Sequence, residues 1–428
     1  MSELPTVKKG ISVIGKPDAA SGIYRHGFGL KNDVQTDIAE DYTCSVVDCL
    51  RANDNVLHAG SIEVHLAREF GFCYGVDKAI DYAYQTRRMF PDRRIFLTTE
   101  IIHNPKVNRR LMDMGIQFLS GQYRGPQTFT DVSPDDVVIL PAFGASVEEV
   151  EILRKQGCTI VDTTCGSVVH VWKRVEKYAK EGYTAVIHGK YSHEETIGTS
   201  SRVTQFPAGH YIVVRDRDEA RIVCDYVEGK VGRDAILPTF ANAVSKDFIP
   251  EDHLLRVGVA NQTTMLSSES LEIAGMLKQS MIARYGEAAL ADHFRSFDTI
   301  CSATQERQDA VMELVQRDLD LILVVGGFNS SNTTHLIEIA SQYCRAFHIE
   351  DASQILSADT IQHKIWDAPE SELFHNWLAP RPRKIGFTAG ASTPNKAIGE
   401  VIARTMDFLG EGENFQVACA AIPTIELA

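Results

Sequence analysis

The 428-residue chain has a formal charge of -14 and a pI near 5.5, which disfavours a broad nucleic-acid surface because such surfaces need clustered Lys and Arg. Its 44% hydrophobic and 23% charged residues match a globular enzyme of two or three domains, and no apolar run reaches the roughly 18 residues of a membrane span. Nine irregularly spaced cysteines fit reduced thiols or metal ligation better than a disulfide framework, and the lack of an apolar stretch in Met1 to Gly10 points to a cytoplasmic protein.

Residues 1–60, of mixed polarity with an acidic patch from Asp33 to Asp41, read as an extension outside the main core. Beyond them a short apolar strand, a polar turn and a helical pattern recur, which is the rhythm of βα units. Arg94-Ile-Phe-Leu-Thr-Thr-Glu100 precedes Ile101-Ile-His-Asn104, and Asp136-Val-Val-Ile-Leu140 precedes Pro141-Ala-Phe-Gly-Ala-Ser146. Thr184-Ala-Val-Ile187 runs into His188-Gly-Lys-Tyr-Ser-His193, and Leu319-Asp-Leu-Ile-Leu-Val-Val325 into Gly326-Gly-Phe-Asn-Ser-Ser-Asn332. Lys384-Ile-Gly-Phe387 leads to Thr388-Ala-Gly-Ala-Ser392, with Pro394 suited to the first turn of a helix. The expected fold is therefore α/β, with lobes at 61–155, 156–285 and 286–410, a tail at 411–428, and the polar turns gathered at the carboxyl ends of the strands.

Three cysteines precede plausible helices: Cys73 in Phe72-Cys-Tyr-Gly-Val76, Cys165 in Asp162-Thr-Thr-Cys165 and Cys301 in Asp298-Thr-Ile-Cys301. Helix N-termini favour thiolates, and thiolates bind iron. They lie too far apart for a zinc ribbon or a ferredoxin motif, so spacing alone favours buried structural thiols over ligands. If the three share a cubane cluster, one iron lacks a protein ligand and can act as a Lewis acid, whereas an electron carrier would use four cysteines.

The polar residues are open to two readings. His103 and His193 fit a substrate site or simple capping, and Glu195, two residues beyond His193, fits proton delivery or a solvated first turn. Asn329-Ser-Ser-Asn332 with Thr333 and Thr334, after Gly326-Gly327, reads as an anion cradle or an elaborate N-cap. Thr388-Ala-Gly-Ala-Ser392 repeats that construction, and Asn261-Gln-Thr-Thr264 can turn Thr263 and Thr264 to the same rim.

Taken in order, Phe72-Cys-Tyr-Gly-Val76, Asp162-Thr-Thr-Cys165, Asn261-Gln-Thr-Thr264, Asp298-Thr-Ile-Cys301, Asn329-Ser-Ser-Asn332 and Thr388-Ala-Gly-Ala-Ser392 resemble the 4-hydroxy-3-methylbut-2-enyl diphosphate reductase family, over about residues 64 to 408. The resemblance implies a trefoil-like arrangement of three α/β lobes around a 4Fe-4S cluster held by Cys73, Cys165 and Cys301. It also implies diphosphate binding by His103, His193, Ser330, Ser331, Asn332 and Ser392, proton delivery by Glu195, and Thr263 beside the substrate hydroxyl.

The implied reaction is a two-electron reductive dehydroxylation giving isopentenyl and dimethylallyl diphosphate. No dinucleotide fingerprint is evident, so reduced ferredoxin or flavodoxin is the expected electron donor. Many bacterial members carry a histidine at the position of Phe143 and a proline at that of Gly166. The long N-terminal segment, Pro141-Ala-Phe-Gly-Ala-Ser146 and Thr304-Gln-Glu-Arg-Gln308 instead look like the plant and cyanobacterial branch. A non-redox iron-sulfur hydro-lyase and a non-enzymatic iron-sulfur sensor or carrier are the competing expectations.

Overall fold

Runs of Val, Ile and Leu with no polar alternation must be covered on both faces, and in the computed structural model they form three mainly parallel sheets. The structure describes residues 22–297 and 299–422; Asp298 of the third cysteine motif, residues 1–21 and the end of the expected tail lie outside them. In chain order the strands are β1 (Ile23–Tyr24), β2 (Val56–Ala59), β3 (Ile62–Leu66), β4 (Ile95–Leu97), β5 (Ile116–Phe118), β6 (Val137–Leu140), β7 (Thr159–Asp162) and β8 (Thr184–His188). They continue with β9 (Tyr211–Val214), β10 (Val257–Asn261), β11 (Phe294–Ser296), β12 (Leu321–Val325), β13 (Arg345–Ile349), β14 (Thr360–Lys364), β15 (Ser371–His375) and β16 (Lys384–Ala389).

The first sheet has the order β1-β7-β6-β4-β5 and the second β11-β10-β8-β9, both wholly parallel. The third has the order β13-β12-β16-β3-β2, parallel except where β2 runs against β3, and β14 with β15 forms a separate hairpin. Every residue of β6, β8, β10 and β12 is buried, as helices on both faces require.

Strand membership differs from the expected lobe limits. Residues 62–66 belong to the third sheet, because β3 pairs with β16, Glu63 opposite Lys384. Likewise β7 completes the first sheet and β11 the second. Residues 22–60 are no outlying extension: β1 edges the first sheet, and Val47, Leu50 and Leu57 are buried in the third lobe's core. The tail from 411 carries the helix Gly412–Ala420, which buries Phe415 in that same core. Apolar residues at these positions decide the matter, since each is worth about 2 kcal/mol once removed from water. Among the described residues no helix is long and apolar enough to cross a membrane.

Candidate active site

Parallel strands deliver the site. The segments leaving β3, β7 and β11 reach Cys73, Cys165 and Cys301, and those leaving β4, β8, β10, β12 and β16 reach His103, His193, Thr263, Ser330 and Ser392. The eleven residues that the resemblance assigns to the site line one cavity, the three cysteines with His103, His193, Glu195, Thr263, Ser330, Ser331, Asn332 and Ser392, as does Thr264, whereas Asn329, Thr333 and Thr334 do not.

Each of the three cysteines is the N-cap of a helix, Tyr74–Met89, Gly166–Lys180 and Ser302–Val315 respectively. All are free thiols. The helix ends do pull on the sulfurs: Thr304 N–H donates to Cys301 Sγ at 3.4 Å. Burial outweighs that pull, raising Cys73 despite bonds from Val76 and Gly75, and pushing Cys301 up to about 11 despite Thr304. The helix ends alone therefore do not make thiolates of Cys73 and Cys301. Buried thiols this reluctant to ionise become ligands only where a cationic centre supplies the compensating charge.

The donor set suits an iron-sulfur cluster better than one ion. Cys73 feels Cys165 and Cys301 feels Cys73 electrostatically, yet the three sulfurs are not all within 4.8 Å of each other. Tetrahedral thiolates on a single zinc would stand only about 3.8 Å apart. Gly75 keeps the space clear, since a Cβ there would meet Cys165 Sγ at 2.6 Å.

Glu195 lies in the first turn of the helix Glu194–Val203 and is 2% exposed, not solvated. Burial pushes its carboxyl up to about 7, although Thr263 N–H donates to Oε1 at 2.6 Å and Thr263 Oγ1 to Oε2 at 3.0 Å. The backbone N–H can only donate, so in the protonated acid the proton sits on Oε2, facing Thr263 Oγ1. That bond then reverses, and the threonine hydroxyl proton is free to point into the cavity.

The two histidines have tautomers set by their partners. His193 Nδ1 accepts from Glu195 N–H at 3.1 Å, which places its proton on Nε2, and burial with the neighbouring His103 keeps the ring neutral. His103 Nδ1 lies 3.2 Å from Glu100 Oε2, and His103 Nε2 lies 3.1 Å from His193 Nε2. Burial raises Glu100, but bonds from His103, Gln122 and Asn329 prevail and hold it below the usual carboxylate range. The network therefore assigns a chain in which His193 Nε2–H donates to His103 Nε2 and His103 Nδ1–H donates to Glu100.

Phe143 stacks on His103 with ring centroids 4.5 Å apart and 16° between planes. In place of a polar donor it supplies a flat wall holding that imidazole.

The segment read as an anion cradle or an N-cap forms a cap. Ser330 is the N-cap of Ser331–Ala340, its Oγ accepting from Thr333 N–H at 3.4 Å. Asn332 Oδ1 accepts from Ala391 N–H at 2.8 Å, while its Nδ2 is buried without a partner. A buried amide donor of that kind calls for an acceptor from outside the protein. Ser392 does not begin a helix: it stands in the loop before Asn395–Phe408, with Oγ donating to the His103 carbonyl at 3.1 Å, and Pro394 is the N-cap. Gly327 also approaches that carbonyl, where a Cβ would meet it at 2.5 Å.

Several contributing residues do not stand out in the sequence. Gln262, 1% exposed, accepts from Lys190 N–H and Thr196 Oγ1 and donates to Thr264 Oγ1 and Ser331 Oγ, tying the second lobe to the third. Arg307 donates to the carbonyls of Gly71 and Phe72, fixing the approach to Cys73. Glu100, three residues before His103 and bonded by the exposed Asn329 of the cradle motif, completes the set. Their motifs are visible in the sequence; their burial is not.

Comparison with known proteins follows the same lines. A protein named 4-hydroxy-3-methylbut-2-enyl diphosphate reductase from Gloeobacter violaceus is 48% identical over 409 residues, covering 95% of this chain and 97% of its own. One of the same name from Thermosynechococcus vestitus is 48% identical over 385 residues, covering 90% and 94%. A solved E-1-hydroxy-2-methyl-but-2-enyl-4-diphosphate reductase from Plasmodium falciparum shares the fold, with a TM-score of 0.58 at 23% identity over 79% of this chain and 86% of its own. The family described as LytB protein matches residues 64–406, and this chain belongs to it.

Proposed function

We propose that this chain is a 4-hydroxy-3-methylbut-2-enyl diphosphate reductase, removing the substrate's hydroxyl with two electrons and two protons and releasing water with isopentenyl and dimethylallyl diphosphate. The observation that carries this reading is the convergence, in one cavity, of three free cysteines from three chain segments with a buried acid and a set of neutral anion donors. Relatives of that name at 48% identity support it.

Cys73, Cys165 and Cys301 would hold a 4Fe-4S cluster. Such a cluster supplies the electron route and, at the iron without a protein ligand, a Lewis acid.

The remaining work falls to the chain. Asn332 Nδ2, His193 Nε2–H and the hydroxyls of Ser330, Ser331 and Ser392 take the diphosphate, which parts the His103–His193 pair on entering. Glu195 holds its proton at Oε2 and passes it through Thr263 Oγ1 to the departing hydroxyl, an acid poised near neutral pH as general acid catalysis needs. Phe143 and the buried walls exclude water from the transfer. Electrons come from reduced ferredoxin or flavodoxin in a cytoplasmic setting.

The test is anaerobic turnover of 4-hydroxy-3-methylbut-2-enyl diphosphate with a reduced one-electron donor, alongside diphosphate binding to Ser330→Ala with Ser392→Ala. Turnover to both isomers, and a loss of at least tenfold in diphosphate affinity in the double variant, are expected. No substrate consumption, or consumption without electron uptake, defeats the reductase reading; unchanged affinity defeats the site assignment.

A further inference from the structure

Outside the residues matched by the family, two short helices from opposite ends of the chain meet over the third lobe. Ser45–Ala52 carries Cys49, and Gly412–Ala420 carries Cys419. Both cysteines are half-buried, both pack against the third lobe's core, and both line the groove between these helices. Their side chains are near enough to act on each other electrostatically.

Cys44 is the third thiol nearby, but its Sγ is turned to Gly399, where a Cβ would come within 2.3 Å of it. These three sulfurs are not all within 4.8 Å of one another, which excludes a single tetrahedral zinc as their common purpose. What remains open to a neighbouring thiol pair is oxidation.

We propose that Cys49 and Cys419 form a reversible disulfide, a modification site that staples the helix Ser45–Ala52 to the helix Gly412–Ala420. The oxidant is a low-molecular-weight disulfide. One protein thiolate attacks it, giving a mixed disulfide and one free thiol; the second protein thiolate then attacks the protein-bound sulfur, forming the Cys49–Cys419 bond and expelling the second thiol. The protein gives up two electrons and two protons, and the small disulfide takes both.

Burial raises Cys49, and burial with the Cys49 contact pushes Cys419 up to about 12. Exchange is therefore slow at neutral pH and accelerates as pH rises, because the thiolate is the attacking species. The bond closes a loop that contains nearly the whole chain, and constraint of the unfolded state grows with loop length. Oxidised protein should melt several degrees higher.

The test treats intact holoprotein anaerobically with oxidised glutathione at pH 8.5, blocks residual thiols by alkylation, and maps peptides with a protease that cuts before aspartate. Cleavage at Asp48 separates Cys44 from Cys49. Expected are a linked Cys49–Cys419 peptide pair, lighter by two hydrogens, and a raised melting midpoint that dithiothreitol reverses. Cys49→Ser and Cys419→Ser should lose both signals. A Cys44–Cys419 link, a persistent glutathione adduct on Cys49 or Cys419, two alkylated thiols at these positions, or a linked protein with an unchanged midpoint overturns the proposal.

Discussion

Replacing Glu195 by glutamine separates the energetic cost of this carboxyl from its chemical use. Its pKa is raised from 4.5 to about 7 in the folded protein, so between those values the folded state binds more protons than the unfolded one and stability falls as pH rises. The contribution is fully present below pH 4.5 and is lost through about pH 7. Carried through the linkage relation, these values give a penalty of roughly 1 kcal/mol at pH 5 and roughly 3 kcal/mol at pH 8, hence about 2.5 kcal/mol of pH-dependent destabilisation.

The amide introduced by Glu195→Gln keeps an acceptor for Thr263 N–H but cannot ionise. The assay is denaturant unfolding of both proteins at pH 5 and pH 8, matched for iron content, so that all other titrations cancel in the double difference. The variant should gain about 2.5 kcal/mol on the wild type across that interval, while turnover falls by about 10² to 10⁴. Identical pH slopes would refute the argument that this acid is held protonated by burial, and near-normal turnover would refute its role as proton donor.

Glu100→Gln removes the charge that orients His103, the acceptor that aims His193 Nε2–H, and should weaken inorganic diphosphate binding about tenfold, read by calorimetry, with a smaller effect on the rate at saturation. An unchanged dissociation constant would count against the assigned tautomer chain. Gly75→Ala places a methyl 2.6 Å from Cys165 Sγ, and overpacking of about 1–3 kcal/mol at that sulfur should cut bound iron per chain by more than half. Full iron content with an unaltered visible spectrum would show that the cysteine has room to move.

Much of the lobes' architecture was legible because fully buried strands such as Leu321–Val325 and Val257–Asn261 are written as unbroken apolar runs ending in polar turns. The gathering of Cys73, His103, Thr263 and Ser392 at one rim follows from the same rule, since parallel strands all release their loops on one side.

Other features depend on distant partners that local pattern does not encode. Residues 62–66 look like the start of a first lobe until β16 is seen to claim them. Glu100 and Gln262 look like ordinary turn residues until neighbours from other segments bury and bond them. The thiols illustrate a contest of magnitudes: the helix-end effect was readable and favourable, but desolvation, invisible in sequence, is larger.

The pairing of β3 with β16 also sets a schedule for biosynthesis. Ile62–Leu66 leaves the ribosome more than 300 residues before Lys384–Ala389, the strand that pairs with it along its other edge from β2. At about 5–20 residues per second, that apolar strand waits on the order of tens of seconds with only an antiparallel hairpin for company. The loop to Cys73 hangs from it, so the three cysteines cannot stand in their final places until almost the whole chain has emerged. Iron delivery to this protein is then a late event, and a nascent chain stalled before residue 384 should be the form that chaperones hold.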